Sequence, residues 1–246
     1  MFKERLPEAL CDSISERIAD SSFILRDDGM PYNELKLHRY DRNNPIAPNY
    51  MLPRDETTNI LEVQELLSDP ILIQVAQNYL KSKSIFTGLS LYWSAAVKEE
   101  PDDNAAQSFH WDMERIKWLR FFIYLTDIDE NNGPHCFIKG SHRTGALPLE
   151  ITSQGYVRHS DEYISKQFGK DAYKEFIGRK GTIIAEDSRG LHKGKVLNKG
   201  ERLMLAFELS NSTFGAEKRH RIVKYHSSRF SIFVKKYNKL YENFDL

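Results

Sequence analysis

Apolar and polar positions alternate with two different periods along this chain, and the change of period divides it. In residues 7–20, Leu10, Ile14 and Ile18, preceded by Leu6, recur at helical spacing and predict one buried stripe. Residues 26–56 are rich in Asp, Asn, Pro and Arg and read as irregular, with short strands at Glu34–Tyr40. A second helical region carries Leu61, Leu66 and Leu67. Ser68-Asp69-Pro70 then predicts a cap with proline in the first turn of a helix bearing Ile71, Val75, Tyr79 and Leu80. After Lys83 the texture changes to short runs of β-branched, aromatic and aliphatic residues at 85–97, 118–125, 181–185 and 202–209, separated by turn-forming segments. Residues 143–180 interrupt these strands and carry a helical pattern near 161–176. Phe230, Phe233, Tyr237 and Leu240 predict a C-terminal helix packed on the core.

Helices followed by strands predict a mainly β domain with flanking helices. Its core is expected to be an antiparallel two-sheet jelly roll, whose mouth can hold a ligand. The expected organisation is one domain over 1–246. Residues 1–83 give helical support, 84–210 the jelly roll with an insertion at 143–180, and 211–246 the C-terminal helix.

Composition narrows the partners more than the chemistry. The 246 residues are 40% hydrophobic and 28% charged, as in ordinary globular proteins. Lys+Arg and Asp+Glu both total 35, which gives no reason to expect a nucleic-acid or membrane partner. The basic, aromatic-bearing tail beginning at Glu217-Lys218-Arg219-His220-Arg221 is read as a packed helix with lysines in water. Two cysteines, Cys11 and Cys136, no secretory signal and no stretch of membrane-spanning length lead to the expectation of a cytoplasmic protein with reduced thiols.

The candidate chemistry lies in His110-Trp111-Asp112 followed by His192 and Arg202. Alternation along a strand turns His110 and Asp112 to one face and Trp111 to the other. His192 follows the 181–185 run in a glycine-bearing turn and reaches the pair only if one sheet folds over the other. Two imidazoles and a carboxylate suit Fe(II), Zn or Mn; with coordination positions left open, the set favours Fe(II). His38, His135, His142, His159, His220 and His226 are alternatives for the third ligand by composition. Arg202 opens a strand, and its guanidinium suits a carboxylate gripped by two parallel hydrogen bonds.

From about residue 85 to 210 the sequence resembles the phytanoyl-CoA dioxygenase family of Fe(II)/2-oxoglutarate-dependent oxygenases. The resemblance is carried by Phe109-His110-Trp111-Asp112, Asp129-Glu130-Asn131-Asn132-Gly133-Pro134, Lys139-Gly140-Ser141-His142, His192 and Arg202. It implies a cupin-like double-stranded β-helix core with His110, Asp112 and His192 as iron ligands, Arg202 as the partner of the distal carboxylate of 2-oxoglutarate, and O2 as co-substrate. Gly133-Pro134 would shape a connection and His142 would cap a loop. Tyr92 and Ser94 are expected to face the ligand cavity. On that strand Phe86, Gly88 and Ser90 share their face, while Thr87, Leu89, Leu91, Trp93, Ala95 and Val97 face the covering helices. Lys98 corresponds to a lysine often found near the pocket, with an exposed strand-end lysine as the alternative, and Phe122, with Tyr124 and Thr126, forms a pocket wall.

Departures from the family pattern are informative. Gly194 stands where many members have serine, and His135-Cys136 stand where small aliphatic residues are usual; both are taken as strand core without a catalytic role. Asp112 fills the position that a halogenase leaves open for halide, so hydroxylation or desaturation of a small-molecule metabolite or biosynthetic intermediate is expected, with release of succinate and CO2. A non-oxidative zinc or manganese cupin-like enzyme, and a non-catalytic binding protein that keeps the fold, are the competing readings. Loops at 26–56, 99–108 and 143–180 would set specificity.

Overall fold

A computed structural model describes residues 1–25, 36–113, 116–216, 220–221 and 227–245; for 220–221 it describes the backbone alone. Helix α1 (Glu8–Arg17) buries Ile14 of the expected stripe, and Ile18 is buried at its C-cap; Leu6 and Leu10 are half-buried, and Cys11 is buried beside them. Three short strands, β1 (Ser22–Leu25), β2 (Leu37–Arg39) and β3 (Asn49–Met51), follow. Glu34 and Leu35 of the expected 34–40 strands lie outside the described residues. Helices α2 (Arg54–Thr58), α3 (Leu61–Leu67) and α4 (Pro70–Leu80) come next. Asp69 caps α4 by accepting from the backbone N–H groups of Ile71 (2.9 Å) and Leu72 (3.0 Å), and Pro70 occupies a first-turn position where no N–H is needed.

The strands β4 (Ile85–Ala95), β5 (Trp118–Tyr124) and β6 (His135–Ile138) lead through α5 (Leu149–Thr152) and α6 (Asp161–Phe168) to β7 (Tyr173–Phe176), β8 (Ile183–Glu186), β9 (His192–Gly194) and β10 (Glu201–Ser210). The chain ends with β11 (His220–Arg221), α7 (Ser228–Lys236) and β12 (Phe244–Asp245). Seven strands form one antiparallel sheet in the order β2-β1-β3-β4-β10-β5-β8. Three more form a second, β7-β6-β9. The small sheet faces the large one as an open jelly roll. Tyr124 ties them: its hydroxyl donates to the Phe176 carbonyl (2.8 Å) and accepts from the His135 N–H (2.9 Å). Burial raises the pKa of this phenol, so it stays a donor.

Alternation gives the large sheet two faces. Leu89, Leu91, Trp93, Phe121, Ile123, Leu203, Leu205 and Phe207 join Ile14, Val63, Leu67, Ala76 and Phe230 from the helices in the main core. Tyr92, Phe122, Tyr124, Ile184, Met204 and Ala206 point the other way, toward the small sheet. Phe86 and Thr87 are the exception. The β4–β10 register shifts between Glu208 and Leu209, so that Thr87 and Gly88 together oppose Glu208. The bulge reverses the alternation. Thr87 bonds Glu208 on the inner side, and Phe86 stacks on Tyr241 among the helices.

Two further expectations are corrected. The helical pattern at 161–176 ends at Gly169, whose φ of 74° lies in the left-handed region. Residues 173–176 then pair with β6, so the 143–180 segment contributes a strand to the small sheet. In the tail, α7 stops at Lys236. Phe230 and Leu240 are buried, but Tyr237 leaves helical geometry and is 43% exposed. Residues 217–219 and 222–226 and the side chains of 220–221, part of the basic tail, lie outside the described residues. Cys11 and Cys136 are both free and buried, and burial raises each thiol pKa to about 11. Among the described residues, no helix is long and apolar enough to cross a membrane.

Candidate metal centre

His192 opens β9, beyond the turn in which it was expected. Its backbone pairs with His110 on one side (3.0 and 2.9 Å) and with Phe137 of β6 on the other. Asp112 is fixed by its own N–H, which donates to the Ser188 carbonyl at 2.9 Å. Two distant segments are thereby held edge to edge, with their ligand-type side chains on the inner face.

The side chains converge. The Nε2 atoms of His110 and His192 lie 4.0 and 3.8 Å from the Asp112 carboxylate, and one donor atom from each of the three residues falls within 4.8 Å of the others. All three residues are buried. Each imidazole has its Nδ1 at 2.9 Å from a backbone carbonyl, that of Ser108 for His110 and that of Gly190 for His192. A carbonyl can only accept, so Nδ1 carries the proton and the Nε2 lone pair is left for a cation. Burial, and next the neighbouring His192, hold the His110 pKa well below the ordinary imidazole value. Burial works against ionisation of Asp112, but His192, Arg120, His110 and a hydrogen bond from Ser188 outweigh it and hold that carboxyl at about 2. Two Nε2 atoms turned inward beside an ionised carboxylate fit a divalent cation, the remaining coordination positions being open to small ligands.

Arg202 lies buried on the same inner face. Its Nη1 donates to the Gly133 carbonyl and its Nη2 to Ser94 Oγ at 3.0 Å, while its Nε is buried without a partner among the described residues. Gly133 sits at φ +76°, where a Cβ would meet Leu197 at 2.4 Å, so glycine is required to aim this carbonyl. The preceding turn is held by Asp129, which accepts from the Asn131 N–H (2.7 Å), and by Asn132, which accepts from the Asp129 N–H (2.7 Å). Gly194 packs against the guanidinium.

The other expected pocket residues divide. Ser94, Tyr92 and Phe122 face inward, Phe122 with its ring centroid 4.4 Å from that of His135. Lys98 does not join them. It lies beyond the end of β4, is exposed, and pairs with Asp102 at 3.1 Å. No capping bond from His142 is seen among the described residues, and its Nδ1 is buried without a partner there. Ser141 does that work, donating to the Ile138 carbonyl (2.7 Å) and accepting from the Leu191 N–H (2.8 Å), which ties the loop to the residue before His192.

Two polar clusters went unnoticed in the sequence. Arg120 bridges Asp112 (3.4 Å) and Glu208 (2.8 Å), and Thr87 donates to the other Glu208 oxygen at 2.8 Å. The available signal was charge at inward positions of otherwise apolar strands. His135 pairs with Glu186 at 2.7 Å, 5.9 Å between ring centroids from His192. Burial lowers the His135 pKa despite Glu186.

The phytanoyl-CoA dioxygenase (PhyH) family model matches residues 2–196. No curated protein sequence gives a significant match. Among solved structures, HygX from Streptomyces hygroscopicus, crystallised with nickel and 2-oxoglutarate, superposes with a TM-score of 0.56 at 16% identity, over 88% of this chain and 83% of its own. EctD from S. alaskensis gives 0.56 at 15% identity, over 88% and 74%. The epimerase SnoN, solved with Fe3+, alpha ketoglutarate and nogalamycin RO, gives 0.54 at 15% identity, over 84% and 74%. At such identities these neighbours speak for the fold. The family match spans most of the chain, and the protein belongs to the phytanoyl-CoA dioxygenase family of Fe(II)/2-oxoglutarate-dependent oxygenases.

Proposed function

We propose that this dioxygenase hydroxylates, or desaturates, a small-molecule metabolite or biosynthetic intermediate at a ferrous centre held by His110, Asp112 and His192. The carrying observation is the convergence of two Nε2 lone pairs and one ionised carboxylate, with both Nδ1 sites committed to backbone carbonyls. Bound together, Fe(II) and 2-oxoglutarate supply the activation of dioxygen, with 2-oxoglutarate leaving as succinate and CO2.

Arg202 receives the distal carboxylate of 2-oxoglutarate. His192 and Gly194 lie two residues apart on one strand, a span of about 7 Å, which matches the scale of a five-carbon dicarboxylate. Ser94 and the Gly133 carbonyl fix the guanidinium plane before the co-substrate arrives, so less conformational entropy is lost on binding. Phe122 and Tyr92 wall the cavity against water.

A non-oxidative cupin-like enzyme has no need of Arg202 at its spacing from His192, and the intact ligand set argues against a non-catalytic binding protein. The test is an anaerobic titration with Fe(II) and 2-oxoglutarate, watched near 500 nm for the chelate band. Wild type should give the band, and His110→Ala and Asp112→Ala should lose it along with substrate-stimulated succinate release. Undiminished turnover in either variant would remove the triad from the reading.

A further inference from the structure

We propose that Arg158 receives an anionic group of the substrate beside the metal, so that the substrate is a small organic acid bearing a carboxylate or a phosphate. This rests on the oxygenase reading and narrows its substrate class. Phe109 and His159 form an antiparallel bridge, with N–H to carbonyl distances of 3.1 and 2.8 Å. Continued by one residue, that register sets Arg158 opposite His110; by three, it sets Tyr156 opposite Asp112. Alternation sends Phe109 to the interior cluster behind the sheet and turns His110, Asp112, Arg158 and Tyr156 to the opposite, metal-facing side. The rings agree with this placement: Tyr156 meets His110 edge-on at 6.1 Å, and the Arg158 guanidinium lies over the Tyr156 ring at 5.1 Å.

Arg158 differs from the other arginines near the site. Arg202 is bound to Gly133 and Ser94, and Arg120 to Asp112 and Glu208. The Nη1 of Arg158 is buried without a hydrogen-bond partner among the described residues. A guanidinium cannot shed its charge, and a buried donor without an acceptor costs free energy until an anion arrives. The cation–π contact with Tyr156 helps to hold the guanidinium in place and uses its face, leaving the N–H edge to bind. The Tyr156 ring, 50% exposed, offers an apolar surface for the rest of the molecule.

The test uses four probes that share a phenyl body: 3-phenylpropionate, phenyl phosphate, 3-phenylpropylamine and 3-phenylpropanol. Binding is measured by calorimetry to the metal-free protein and to protein loaded with Ni(II) and 2-oxoglutarate. The acids should bind to both forms, the amine and alcohol at least tenfold more weakly, and Arg158→Gln should lose that preference. Arg158→Lys keeps the charge without the planar fork and should fall between. In Arg158→Gln the 2-oxoglutarate affinity, read from the chelate band, should stay within about twofold of wild type. Acid binding unchanged in Arg158→Gln, or an alcohol that binds as tightly as the acids, would overturn the proposal. So would a loss of 2-oxoglutarate affinity as large as that of an Arg202 variant, which would assign Arg158 to the co-substrate. A wild type that gives no chelate band but selects acids through Arg158 would refute the oxygenase reading alone.

Discussion

Gly194 and Arg202 are packed so closely that a single added carbon would have to share the guanidinium's space. A Cβ at residue 194 would lie 3.2 Å from Nη2 and 3.4 Å from Nη1. Gly194→Ala should therefore push Arg202 a few tenths of an ångström off the Gly133 carbonyl and Ser94. The expected result is 2-oxoglutarate binding weakened roughly 3- to 10-fold, or about 0.7–1.4 kcal/mol, with metal affinity unchanged. Gly194→Ser adds the same carbon but restores a hydroxyl able to donate to the co-substrate, and should recover part of the loss. Wild-type affinity in Gly194→Ala would show that the guanidinium does not depend on this space.

Arg202→Lys replaces a fork held at two points by a mobile point charge. The ammonium cannot keep the Gly133 and Ser94 contacts and also meet a carboxylate with two parallel bonds. The KM for 2-oxoglutarate should rise tenfold or more, with kcat at saturation much less affected. An equal fall in both would place the residue in the chemical step instead.

The Arg120 bridge makes a prediction about stability. Its cation lies between two carboxylates whose side chains are only 8% and 4% exposed. Arg120→Met leaves Asp112 and Glu208 buried without that cation, a type of change that costs about 3–5 kcal/mol. The metal-free variant should melt well below wild type, and Ni(II) should restore more of the loss than it adds to wild type, because a divalent ion supplies the missing charge to Asp112. A melting temperature equal to wild type would mean that the bridge contributes nothing.

Arg120, Gly133 and His135 mark how far the sequence could be read. Local signals were sufficient where the physics is local: Asp69 before Pro70 gave the cap of α4, and alternation placed Tyr92 and Ser94 on the inner face. His110-X-Asp112 with His192 and Arg202 was legible because each side chain needs only its own strand's alternation and one crossing of the sheets. Phe86 and Thr87 were assigned to the wrong faces because a bulge depends on the partner strand's register, here at Glu208. The strand at Tyr173–Phe176 was hidden for a similar reason: its pairing partner β6 lies more than thirty residues upstream. The pairs Arg120–Glu208 and His135–Glu186 join residues 88 and 51 positions apart, and nothing within either strand names the other. Lys98 misled because a strand-end lysine reads the same whether it points inward or into water.

The metal-free protein should lose stability as the pH falls below neutrality. Burial lowers the pKa values of His110 and His135, so the unfolded chain binds protons at a higher pH than the folded one. The stabilisation from keeping these imidazoles neutral is fully present above the unfolded value of about 6.5 and is lost as pH drops from there toward the folded values. The limiting slope is about 1.4 kcal/mol per pH unit for each proton. Asp112 adds a separate loss at lower pH, between its ordinary value of 3.8 and about 2. Denaturant titrations between pH 7 and pH 5 should show the first loss, and His135→Gln should make the curve shallower. Saturating Ni(II) should steepen it, because protons then compete directly with the metal for His110 and His192. Stability that stays flat from pH 7 to pH 5 in the metal-free protein would contradict the lowered pKa values of His110 and His135.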